Sequence, residues 1–195
     1  MRSTIYALLY TIALWGCGSS EHERQGNAAS ALSELKRFQT ATLVYETHYG
    51  GYGTLPQLLE NDPSGLIGIA LGEAWDGQPD PKALKGYLFA SMDADEETER
   101  VGLCAYPSAN GKTGDLILCT FADLPEFATL EEARSAFVEL GDRWSFYAAA
   151  SQTLERPPPT WPEQGTPEQF TRLTQRDVDG ALEEAWQIMI EPGGD

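Results

Sequence analysis

The sequence is poor in histidine, cysteine and positive charge. Its 195 residues include only two histidines, His22 and His48, and three cysteines, Cys17, Cys104 and Cys119. That argues against a Ser-His-Asp or Cys-His catalytic set. It also argues against a structural zinc site, which needs four soft ligands in one place. Lysine and arginine number 13 against 30 aspartates and glutamates, for a formal charge of −17. A chain so acidic lacks the clustered basic residues that neutralise phosphates, so no nucleic-acid partner is expected. The reading is of a non-enzymatic protein with no cofactor and no metal.

A complete phosphate-binding loop is missing too. Gly111-Lys112-Thr113 is the end of such a loop, but the glycine needed five residues earlier is replaced by Tyr106. The segment after it, Asp115 to Phe121, reads as a strand, whereas phosphate binding needs a helix N-terminus there. No nucleotide is therefore expected. The alternative for Asn110 to Gly114 is a β-hairpin turn.

Long apolar runs are scarce. The one near the start, Ile5 to Trp15, has signal-peptide length and is short for a membrane-spanning helix. Its end, Leu14-Trp15, with the following Gly16-Cys17, looks like a bacterial lipobox, with Trp15 in a slot that is usually small. The resemblance implies cleavage before Cys17 and acylation of Cys17. Several acyl chains, at about 0.8 kcal/mol per buried CH2, would anchor the protein to a membrane. An ordinary secretory signal or a short uncleaved anchor are the other readings. Residues 1–16 are thus read as a signal and 17–26 as a polar tether. For an exported chain, Cys104 and Cys119 are expected to pair.

What the sequence has in quantity is helical and strand patterning. From Asn27 to Tyr49, Ala28, Ala31, Leu32, Leu35, Phe38, Thr42 and Tyr45 recur at three- and four-residue steps. Asn27 is the expected N-cap, and Gly50-Gly51 the expected stop. A loop-rich stretch, 61–85, follows. Three apolar runs, 86–92, 100–107 and 115–121, read as a strand meander. A four-residue loop over Asn110–Thr113 sets Cys104 opposite Cys119, at a separation suited to a disulfide.

Residues 129–155 read as a helix with Thr129 capping and Ala133, Ala136, Phe137, Leu140, Trp144, Tyr147 and Ala148 as its stripe. A proline-rich break covers 156–167, and a last helix is expected over 167–190, weakened by Gly180. Asp93, Asp95, Glu96, Glu97 and Glu99 form an acidic run, read as a solvated hairpin tip rather than a calcium loop. Trp144, Phe146 and Tyr147, with Trp161 and Trp186, are a candidate binding surface. The plainer reading is that the first three dock the C-terminal helix onto the sheet. Tyr45, Tyr49 and Tyr52 are read as packing at the helix end.

The stretch "NAASALSELKRFQTATLVYETHYGGYGTLPQL", with "KGYLF" and "AYPSANGKTGDLILCTF", resembles the headpiece of type IV pilin-like and type II secretion pseudopilin-like proteins. The resemblance covers residues 27 to 121. It implies an α+β fold, one long N-terminal helix packed on a small antiparallel sheet, in a pilin-like domain over 27–125. Residues 126–195 would form a helical extension. The prepilin signal and the long apolar helix of filament subunits have no counterpart here. The function expected is a structural or protein-binding role at the cell envelope, with an envelope protein as partner. A small-molecule or glycan binder and a pilus or secretion-system component are the alternatives.

Overall fold

The computed structural model describes residues 20–92, 101–122, 144–151, 157, 170–173 and 176–181. Cys17, the acidic run 93–99, Trp161 and Trp186 lie outside the described residues, as do 129–143 of the expected second helix.

Helix α1, Ser20–Tyr49, runs for 30 residues. Its buried side follows the pattern expected from sequence: Ala31, Leu32, Leu35, Phe38 and Thr42 are all nearly inaccessible. The helix starts earlier than the sequence indicates. Residues 20–26 form its first turns rather than part of a tether, and Asn27 lies inside the helix rather than at its cap. The local signals are weak, but Glu21 and Glu23 complement the helix dipole in the first turn. Arg24 and Asn27 also hold the early turns against the sheet, as described below. At the other end Gly50 takes φ +78°. Only glycine enters that left-handed region without a steric cost, so the helix stops there.

Two short helices follow, α2 (Leu55–Glu60) and α3 (Ile69–Glu73). In α2 the Gln57 side chain accepts the Thr54 backbone N–H over 2.8 Å, tying down the first turn. Leu55, Leu58 and Leu71 enter the core.

The sheet is a five-stranded antiparallel meander in sequence order: β1 (Tyr87–Met92), β2 (Val101–Pro107), β3 (Leu116–Ala122), β4 (Trp144–Ala150) and β5 (Thr171–Leu173). The fold is thus α+β, a long N-terminal helix on a small antiparallel sheet, broadly pilin-like in architecture. The first three strands match the runs read from sequence. The last two correct it. Residues 144–150 are extended, pairing along the whole length of β3, where a helix was expected. Phe146 and Tyr147 therefore belong to the sheet itself rather than to a helix. The reason is that this run is apolar at consecutive positions, so it satisfies a helical stripe and a strand buried on both faces equally well. The unpaired edge of β3 decides between them. Residues 171–173 likewise add an edge strand, and within the expected last helix 176–181 are helical, here α4.

Alternation along the strands gives the sheet two buried faces. Phe89, Leu103, Ala105, Leu118 and Phe146 pack with Leu32, Leu35 and Phe38 of α1. Cys104, Tyr106, Ile117, Cys119, Tyr147 and Ala149 belong to a second apolar cluster on the opposite face. Gln39 of α1 donates its side-chain amide to the hydroxyl of buried Thr120 over 2.5 Å, fixing the helix along β3. Val178 of α4 joins the α1 side of the core, and Lys36 of α1 pairs with Asp179.

Candidate functional site

Two places in the fold carry the residues that sequence reading singled out or missed. The first is the β2–β3 hairpin. Cys104 and Cys119 are directly opposed in its register, with Cα atoms 4.1 Å apart, and they form a disulfide. Both are fully buried. The disulfide therefore works as an internal cross-link between the two central strands and is shielded from solution thiols.

The turn of that hairpin contains the fragment that imitates a phosphate loop. Its backbone bonds stay within the turn: Thr113 N–H donates to the Ala109 carbonyl over 2.9 Å, and Gly111 N–H to the Gly114 carbonyl over 3.1 Å. Gly111 has φ +68°, and a side chain at Gly114 would collide with the Tyr87 hydroxyl, 2.4 Å from the added carbon. Each glycine is thus required by the turn itself or by its packing. The segment leads into β3, with no helix to present amides to an anion.

The start of α1 clamps this turn. Asn27 donates its side-chain amide to the Thr113 carbonyl over 3.0 Å. Arg24 reaches the Gly111 carbonyl at 3.4 Å and pairs with Asp115 at 2.9 Å, as a charge contact off the hydrogen-bond line. Tyr87 donates its hydroxyl to the Leu116 carbonyl over 3.1 Å. Burial, and next the nearby Asp115 carboxylate, push the Tyr87 phenol well above its usual range.

The second place is the loop-rich stretch between α2 and β1. Asp62 organises its first part. One carboxylate oxygen accepts the Ser64 N–H and hydroxyl, and the other accepts the Ile67 N–H over 2.8 Å. Partial burial raises the Asp62 pKa, but these hydrogen bonds together outweigh it and hold the carboxyl below its ordinary value. Further on, the chain docks along the outer edge of β1. Phe89 N–H donates to the Ala74 carbonyl over 2.9 Å, and Asp76 N–H donates to the Phe89 carbonyl over 2.8 Å. This covers part of an edge that would otherwise invite another strand. Lys82 N–H closes the loop onto the Glu73 carbonyl over 2.8 Å.

Between these segments lies an open groove of about 560 Å3, floored by Leu59 and Gly72 and rimmed by Ile69, Glu73, Asp80 and Lys82. Ile69 is 85 % exposed. Gly72 shapes the floor, because a side chain there would meet Leu59 at 2.8 Å. No motif or periodicity in the sequence points to this groove. Its lining comes from α2, α3 and a loop of glycines and prolines, brought together by folding alone.

The remaining candidates are dispersed. Tyr45 and Tyr49 pack ring to ring at 4.5 Å, and Tyr49 accepts a hydrogen bond from Asn61. Tyr52 donates to Glu46. The three tyrosines therefore brace the helix end. His48 turns back to the Val44 carbonyl at 2.9 Å. Among the described residues no group of three or more histidines, cysteines or carboxylates is placed to hold a metal. Among them, too, no helix is long and apolar enough to cross a membrane. No family model matches the sequence, and no curated protein or solved structure matches it.

Proposed function

We infer that the protein is a lipid-anchored, extracytoplasmic envelope protein whose headpiece binds a protein partner without catalysing a reaction. The anchor rests on Leu14-x-Gly16-Cys17 after an apolar segment, as a lipoprotein signal would be written. The binding role rests on one observation above all, the exposure of Ile69 at the rim of an apolar-floored groove. An isolated surface isoleucine is ordinary, but one standing beside a concave apolar floor offers a knob and a socket together. The groove is open to solvent. That favours a protein surface over an enclosed small molecule, which prefers to be mostly buried.

A photo-cross-linking residue in place of Ile69 should give one discrete heavier species in envelope fractions. The same residue in place of exposed Gln25 on α1 should give none. Equal adducts at both positions, or none at Ile69, would reject the groove as a binding site.

Membership of a pilus or secretion assembly is the second reading. It draws support from the long helix packed on an antiparallel meander. The pilin-like stretch from residue 27 onward fits it, while the short apolar segment ending at Trp15 does not supply a filament core.

A further inference from the structure

We propose that the β2–β3 turn and the first turns of α1 form the face that this protein lays against lipid headgroups, while the α2 end points away from the membrane. The inference rests on the reading of Cys17 as the acylated residue. Three peptide steps separate Cys17 from Ser20, where α1 begins. At 3.8 Å per Cα step they reach at most about 11 Å. A lipidated Cys17 therefore holds the helix start within about 11 Å of the headgroup layer. The helix start does not come alone. Arg24 and Asn27 bind it to Asp115, Gly111 and Thr113, so the hairpin turn is brought to the same end. Ser108 N–H donates to the Gly86 carbonyl over 2.9 Å, which adds the Lys85–Gly86 corner.

Charge at this end is consistent with such an apposition. Over the whole chain acids outnumber bases 30 to 13. Here Arg24 is matched by Asp115, and exposed Lys85 and Lys112 offset Glu21 and Glu23. Among the described residues this end is balanced, so it meets less repulsion at an anionic leaflet than the chain's overall acidity would give. The opposite end lies a helix length away. Thirty residues at about 1.5 Å each give roughly 45 Å. Asn61, just beyond α2, is hydrogen-bonded to Tyr49 in the last turn of α1, which fixes α2 at that far end.

The test uses the full lipidated chain, whose other cysteines are acylated or in the disulfide on this reading. Lys112→Cys and, separately, Glu60→Cys provide one free thiol each for an environment-sensitive fluorophore. Each labelled protein is inserted into vesicles of phosphatidylethanolamine and phosphatidylglycerol carrying a headgroup nitroxide. The expected result is loss of most fluorescence at position 112 and little loss at position 60. Equal quenching at both positions, as for a molecule lying flat, overturns the proposal, and so does quenching at position 60 alone or at neither. Failure of the anchor reading looks different. In that case the wild-type chain incorporates no palmitate analogue and does not float with vesicles, whichever position carries the dye.

Discussion

The Asn27 side-chain amide lies 3.0 Å from the Thr113 carbonyl and donates to it, across 86 residues of sequence. This bond, with the Arg24 contacts, joins the first described element to the tip of the β2–β3 hairpin. It accounts for α1 extending back to Ser20. Without it the polar residues 20–26 would gain little from being helical, since isolated helical turns are marginal in water.

Asn27→Asp replaces that donor with an acceptor facing another acceptor. The change should lower stability by about 1–2 kcal/mol, the cost of losing a partly buried hydrogen bond and leaving its carbonyl unpaired. Urea denaturation measures it. A loss under about 0.5 kcal/mol, typical of surface substitutions, would show that the clamp contributes little.

Cys104 and Cys119 are 15 residues apart in sequence. Closing a loop of that length stabilises by roughly 3 kcal/mol in the chain-entropy description. The paired substitution Cys104→Ala with Cys119→Ala should show a loss of that order in a denaturation curve. Mass spectrometry of non-reduced protein should find one bridge and no alkylatable thiol at these positions.

Phe38 is fully buried between α1 and the sheet. Phe38→Ala should cost about 3–5 kcal/mol through lost burial and the cavity left behind. Thermal unfolding that is barely shifted would place this helix face in solvent and contradict the packing described.

Asp62 gives a pH signature. Its folded pKa lies below the ordinary carboxyl value, so its hydrogen bonds favour the charged form. The stability it adds is fully present above the unfolded pKa of about 3.9 and fades as pH falls through the lower folded value. Asp62→Asn should therefore be less stable than wild type at neutral pH, with the gap closing in strong acid. A gap that is constant with pH would mean the carboxylate's charge is irrelevant to the loop.

Much of the fold was legible because local and global signals agree. The stripe from Ala31 to Thr42 has a helix period and no competing pattern. The turn at Asn110–Gly114 sets a register in which Cys104 meets Cys119, and the strands keep it. Where the reading failed, tertiary contacts decided. Residues 144–150 could be helix or strand on pattern alone, and the open edge of β3 chose strand. The start of α1 depends on Arg24 and Asn27 meeting a turn that sequence cannot place in space. The groove was invisible because Leu59, Ile69 and Lys82 share no motif, only a neighbourhood created by the docking of 74–76 on β1.

The order of elements also sets a timetable. A meander folds neighbour by neighbour, with each hairpin closing soon after its second strand is available. Helix α1 cannot follow that rule. Gln39 must wait for Thr120, 81 residues later in the chain, and Leu35 and Phe38 wait for the same strands. For a chain delivered from its N-terminus, α1 therefore precedes the whole sheet and is among the last of the described elements to be covered. During that interval its apolar stripe is exposed to any other unfinished copy. The yield of folded chain should thus depend on how quickly β1 to β3 follow the helix, independently of how stable the finished protein is.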